Sequence, residues 1–179
     1  MATALLIIDM LNDFVSGRMK CEGAKVILPN IRLLLDHARR KRMPVVHVCD
    51  SHYPGVDAEL KLWGPHAIVG TKGAEVIEEL KPIKGEYVIR KRRYSGFFET
   101  DLDLLLRELK VNRLILTGID TSICVRHTAA DAFFRGYSIT VPRDAVATWD
   151  PADNEPTIKY LKEIYGAETL TTEELASKL

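Results

Sequence analysis

Residues 114–132 read LILTGIDTSICVRHTAADA, and the parsing of this stretch decides the fold. Leu114–Thr117 is an uninterrupted apolar run of strand length. Gly118 breaks it, and from Thr121 to Gly136 apolar and small residues return at helical spacing. A strand therefore hands over to a helix, and Cys124 falls within about the first turn of that helix. First-turn amide N–H groups lack intrahelical partners and the helix dipole adds positive potential there. A thiolate is expected to be favoured at such a position.

The same alternation runs outward in both directions. Apolar runs stand at Ala4–Ile8, Pro44–Val48, Tyr87–Ile89, Ser138–Val141 and Glu168–Leu170. Helical periods fill Ile27–Lys41, Gly73–Leu80, Thr100–Leu109, Thr121–Gly136 and Asn154–Tyr165. Runs without polar alternation are strands covered on both faces, and strand–helix alternation means right-handed crossovers. The expected architecture is an open, mostly parallel α/β sheet with helices on both faces, in one domain over residues 1–179. Cys49–Lys72 breaks the pattern: it is polar, rich in Gly, Pro and His, and too long for an ordinary connection, so a functional loop is expected.

Composition narrows the function. With 25 basic and 25 acidic residues the net charge is zero, which points away from nucleic acid and membrane surfaces and toward a small-molecule substrate. No apolar run approaches a membrane span. Three cysteines at unrelated spacings argue against a disulfide framework and for a reducing, cytoplasmic setting without a signal peptide. Ser177-Lys178-Leu179 spells a peroxisomal address, but it also ends a short helix opened by a capping-box pattern from Thr171. The helical reading is preferred.

Ligands in open α/β sheets bind beyond the carboxyl ends of the strands. Just past successive runs stand Asp9, Asp50, Lys91 and the segment Gly118–Cys124, so these groups should converge. A partly desolvated Asp9 has its pKa raised and suits proton transfer. Lys91, from the run Arg90-Lys-Arg-Arg-Tyr-Ser-Gly, would hold that carboxylate ionised and favour a nearby thiolate. Asp9 would take the Cys124 proton, the sulfur would attack a carbonyl, and backbone N–H groups at the helix entry would receive the oxyanion. His127 is a rival base, three residues on, but it should point away from the strand ends.

Leu6-Ile-Ile-Asp9-Met10 with Asn12-Asp13-Phe14, Lys91-Arg-Arg-Tyr-Ser-Gly-Phe97, and Gly118-Ile-Asp-Thr-Ser-Ile-Cys-Val125 together resemble the three motifs of the isochorismatase-like cysteine hydrolases. The resemblance implies a six-stranded parallel sheet and a triad of Asp9, Lys91 and Cys124. It also implies a cis peptide between Ile119 and Asp120 that aims the Asp120 and Cys124 amides at the oxyanion. A homo-oligomer is expected on the same ground.

Asp50-Ser-His52 and the later Trp63-Gly-Pro-His66 offer one carboxylate and two imidazoles, sound ligands for zinc, iron or manganese. No fourth protein ligand is apparent, so an open site is expected. His47, inside an apolar run, reads as core. The ligand pattern resembles that of nicotinamidases, which implies hydrolysis of nicotinamide to nicotinate and ammonia, with one divalent metal, most simply zinc, orienting the ring. Phe14, Trp63 and Tyr94 are the candidate ring contacts, followed by Phe97. Leu11 stands where the family often has glutamine, and the metal loop lacks the tryptophan common between the ligands. A carbamoyl or ureido amidase of the same superfamily is therefore the alternative. A non-catalytic nucleotide-binding domain, suggested only by Gly70-Thr-Lys-Gly73, leaves Cys124 unexplained.

Overall fold

Every residue from Ala4 to Ile8 is buried, as a strand between two helical layers must be. In the computed structural model, which describes residues 2–179, these residues belong to β1 (Ala2–Ile8). The other strands are β2 (Val45–Asp50), β3 (Tyr87–Lys91), β4 (Val111–Ile119), β5 (Ser138–Pro142), β6 (Val146–Ala147) and β7 (Glu168–Leu170). All pairings are parallel, in the order β3-β2-β1-β4-β5-β7, with β6 beside the end of β4. The helices are α1 (Asn12–Val15), α2 (Glu22–Lys41), α3 (Glu59–Trp63), α4 (Leu102–Glu108), α5 (Arg126–Phe134), α6 (Asn154–Tyr165) and α7 (Thr172–Ala176).

Side chains alternate across β1, so Leu5 and Ile7 pack into one core with α2 and α7. Leu6 and Ile8 face the other core, with α4, α5 and α6. The chain winds outward from β1 through β2 to β3, then returns to lay β4 on the opposite side. That reversal puts the switch point at the carboxyl ends of β1 and β4.

Four expectations are corrected. The sheet has seven strands rather than six, because Val146–Ala147 pairs with Gly118 and Ile119. Two residues are too few to show as an apolar run. Gly118 does not end β4: its φ of +104° suits a glycine and a Cβ on it would lie 2.0 Å from the Ile8 carbonyl oxygen, so without a side chain the strand runs on to Ile119. Gly73–Leu80 is not a helix but two 3-10 turns flanking Val76, which bridges to Leu11. There Ile77 N–H donates to the Met10 carbonyl (3.1 Å) and Asn12 N–H to that of Glu75 (3.0 Å), engaging backbone groups that a helix would satisfy internally. Within the long loop Cys49–Lys72, Glu59–Trp63 forms the short α3.

His47 is buried in β2 with Nε2 3.1 Å from the Glu86 carboxylate, as a core residue. Thr171 and Glu174 form the expected capping box of α7. Beyond it Lys178 pairs with Glu168 at 3.0 Å and Leu179 packs against the α2-side core. Among the described residues no helix is long and apolar enough to cross a membrane.

Candidate active site

The strand-end groups do converge. Lys91 ends β3 in register with Asp50 at the end of β2, and its side chain is fully buried. Its Nζ lies 2.5 Å from Asp50 Oδ1, 2.8 Å from Asp9 Oδ2 and 3.5 Å from Cys124 Sγ. Burial alone would push a lysine toward neutrality; Asp50 and Asp9 outweigh it and hold Lys91 charged, well above its ordinary range. Asp9 Oδ1 accepts the Asp50 backbone N–H at 2.8 Å. Oδ2 is paired by charge with Lys91 but makes no directed hydrogen bond, which leaves it able to take a proton. Carboxylate oxygens of Asp9 and Asp50 and the Cys124 sulfur all lie within 4.8 Å of one another. Burial and the Asp50 charge raise Asp9 to about 6, the direction expected for a base at the sheet rim. Burial also raises Asp50, but Lys91 and His52 outweigh it and keep Asp50 below its usual value.

One expectation about Cys124 is overturned. Its thiol is pushed well above the ordinary value, first by burial and then by Asp9 and Asp50, with only Lys91 opposing. Burial and these charges favour the neutral thiol over the thiolate at rest. The helix entry does not rescue it, because Asp120 has claimed that position. Thr121–Val125 is a single π turn leading into α5, capped by Asp120. Asp120 Oδ1 accepts the N–H groups of Ser122 (2.7 Å) and Ile123 (3.1 Å), and Oδ2 accepts that of Trp149 (2.8 Å). The positive end of the turn thus faces a carboxylate already in place. The Ile119–Asp120 peptide is cis, as the resemblance implied. His127 is exposed, its Nδ1 2.7 Å from the Ile123 carbonyl of its own helix, so it does not reach the sulfur.

Asp50, His52 and His66 come together as a ligand set, and Glu59 joins them: one ligand atom from each lies within 4.8 Å of the others. The sequence reading found no fourth ligand, yet a signal was present. Glu59 precedes Trp63 by four residues and so shares its helix face. Each imidazole is oriented by its Nδ1, that of His66 donating to the Gly64 carbonyl (2.7 Å) and that of His52 lying 3.3 Å from Asp57. Both rings therefore present Nε2 to the cluster. His52 Nε2 and Glu59 Oε1 are buried without hydrogen-bond partners, the condition of ligand atoms awaiting a cation. Two imidazoles and two carboxylates suit zinc, iron(II) or manganese. Burial and Asp50 raise Glu59 to about 7, whereas the Arg92 guanidinium holds Asp57 down at about 2. Asp50 belongs to both groups, one oxygen on Lys91 and the other 3.7 Å from His52.

A narrow pocket, ≈ 320 Å³ of atom-free space partly open to solvent, leads from this cluster to Cys124. Phe14, Trp63 and Tyr94, the candidate ring contacts, line it, and Trp63 Nε1 donates to the Tyr94 hydroxyl at 3.2 Å. Phe97 does not: it is buried in the core against Tyr137. Trp149, which meets Phe14 edge-on at 5.6 Å, and Met19 complete the wall. Neither lies near a motif, so nothing local marked them.

An open parallel sheet with an acid, a lysine and a thiol meeting at its switch point is the arrangement that the resemblance to the isochorismatase-like cysteine hydrolases implied. A family model described as Isochorismatase domain matches residues 3–174, and the chain belongs to that family. Its fold and sequence are similar to those of N-carbamoylsarcosine amidase from Thermoplasma acidophilum, at 43% identity and TM-score 0.90 over 96% of this chain and 97% of that one. Nicotinamidase PncA from Bacillus subtilis is similar at 37% identity and TM-score 0.90, over 95% and 99% of the two chains. The uncharacterized isochorismatase family protein YaaI of Bacillus subtilis is 36% identical over 177 residues, 98% of this chain and 97% of that one.

Proposed function

We propose that the protein is a cysteine-dependent amidohydrolase whose substrate is nicotinamide. The observation that carries this reading is the pocket wall. Phe14, Trp63, Tyr94 and Trp149 make up much of it, with Met19 and Ile123, and it ends at Asp50, Glu59 and His66. A flat, neutral aromatic amide suits such a wall. A carbamoyl or ureido acid has no ring to lay against Phe14, Trp63 and Trp149. The second reading, a carbamoyl amidase, rests on the 43% identity to N-carbamoylsarcosine amidase.

In the proposed reaction Cys124 sulfur attacks the carboxamide carbon as its proton passes to Asp9. The Asp120 and Cys124 backbone amides stabilise the oxyanion. Asp9 returns the proton to the departing nitrogen, ammonia leaves, and an acyl thioester is left on Cys124. Water then attacks the thioester carbonyl, giving its proton to Asp9, and the acid departs as the thiol is restored. Lys91 keeps the resting Asp9 ionised and holds its carboxyl group in place. Asp50, His52, Glu59 and His66 would hold the metal, a Lewis acid that supplies orientation for a ring nitrogen.

Ammonia release from a panel of nicotinamide, N-carbamoylsarcosine and a ureido acid tests the choice. Nicotinamide is expected to lead in kcat/KM by about 10-fold or more, the order of one or two aromatic contacts that the competitors cannot make. Chelation should lower the nicotinamide rate about 10- to 100-fold, with zinc restoring it. A carbamoyl acid outpacing nicotinamide, in protein indifferent to chelator, would favour the second reading.

The Asp9 base gives a pH profile. Asp9 accepts the thiol proton only when ionised, and its pKa is raised to about 6. kcat/KM should therefore fall about tenfold per pH unit below about 6 and level off above it. A profile flat to pH 4.5 would remove Asp9 as the base.

A further inference from the structure

We infer that Asp57, clamped by Arg92, is the positioning residue of His52: it fixes the imidazole so that Nε2 faces Asp50, Glu59 and His66. This rests on the metal part of the reading above. The Asp57 side chain is wholly buried and accepts from three directions. One carboxylate oxygen takes the Tyr53 backbone N–H at 2.8 Å and lies 3.3 Å from His52 Nδ1. The other takes Arg92 Nε at 2.9 Å and Arg92 Nη2 closer still. Arg92 is itself steadied over the Tyr53 ring, 4.9 Å from its centroid.

The arrangement follows from strand geometry. Lys91 is the last residue of β3 and Arg92 the first beyond it, and their side chains leave in different directions. Lys91 goes inward to Asp9, Asp50 and Cys124, and Arg92 goes to the loop that carries His52. One dipeptide thereby fastens both halves of the site. His66 needs no such partner, because the Gly64 carbonyl orients it. For His52 the partner is a full carboxylate, which raises the basicity of Nε2 as well as aiming it. With its Nδ1–H engaged by Asp57, the ring presents a lone pair at Nε2, an atom otherwise buried without a partner.

The test is metal affinity, read apart from turnover. The chelator-treated full chain and its variants are titrated with zinc against a chromophoric chelator, and with cobalt(II) for the visible spectrum. Asp57→Ala is expected to bind zinc about 10- to 100-fold more weakly and to show an altered cobalt spectrum. Asp57→Asn, which keeps an acceptor for Nδ1–H but not the charge, should fall between Asp57→Ala and the parent. Folded Asp57→Ala with zinc affinity within about twofold of the parent and an unchanged cobalt spectrum would overturn the inference; a merely structural Asp57 would lower Tm and leave both readouts alone. Should Asp57→Ala not fold, Arg92→Gln at its half-exposed position takes its place, with about a 3- to 10-fold weakening expected and unchanged affinity overturning the inference. A parent chain that binds neither metal overturns it together with the metal reading, while ammonia release still decides the amidase reading.

Discussion

Cys124→Ala is expected to abolish ammonia release from nicotinamide, lowering kcat by about 10⁴- to 10⁶-fold, because the proposed route passes through a bond to that one sulfur. The fold should survive. Cys124 is small, and the turn around it is held by the Asp120 carboxylate and backbone rather than by the thiol. A thermal melt within a few degrees of the parent would establish that the lost activity is chemical. Mass spectrometry during turnover supplies the positive counterpart: the parent should carry an acyl adduct that the variant lacks. Turnover persisting within about tenfold of the parent in Cys124→Ala would end the thioester mechanism. Because the neutral thiol is favoured at rest, general alkylating agents should modify Cys124 slowly at neutral pH. In the proposed route the thiolate forms only when Asp9 removes the proton.

Lys91→Met should lose both activity and stability. The methionine keeps most of the stem volume but leaves Asp9 and Asp50 buried together with no cation between them. Removing one partner from a buried charge cluster costs about 3–5 kcal/mol. The pH dependence identifies the cause. Without Lys91 the two carboxylates repel, so their folded-state pKa values rise above the unfolded ones. A carboxylate so raised costs stability above its folded pKa and ceases to do so as acid protonates it. In chelator-treated protein the deficit of Lys91→Met should therefore be large at pH 8 and clearly smaller at pH 5, measured by urea denaturation at each. A deficit below about 1 kcal/mol at pH 8, or one equal at both pH values, would show that the charge triangle does not hold the site together.

Much of this molecule was decided locally. Ala4–Ile8, Pro44–Val48 and Leu114–Thr117 announce themselves as strands because a strand buried on both faces has no polar alternation. Once the strands run parallel, whatever follows each one lies at a common rim. For that reason Asp9, Asp50, Lys91 and Cys124 could be grouped before any distance was known. Each candidate ligand histidine likewise sits two or three residues from a recognisable neighbour, Asp50 for His52 and Trp63 for His66.

Tertiary structure decided what depends on charges and surfaces brought from afar. Whether Cys124 rests as a thiol or a thiolate follows from its burial and from two carboxylates and one lysine sharing that dry volume. Nothing near residue 124 encodes that balance. Glu59 becomes a ligand candidate only because a short helix inside a polar loop turns it toward Asp50, and Trp149 becomes a pocket wall only because β6 carries it back to Phe14. Gly73–Leu80 has helical spacing yet is held open by Met10–Asn12, a contact across more than sixty positions. Local pattern records which face of an element is apolar; burial and proximity belong to the assembled chain, where long-range electrostatics and competition for hydrogen bonds are settled.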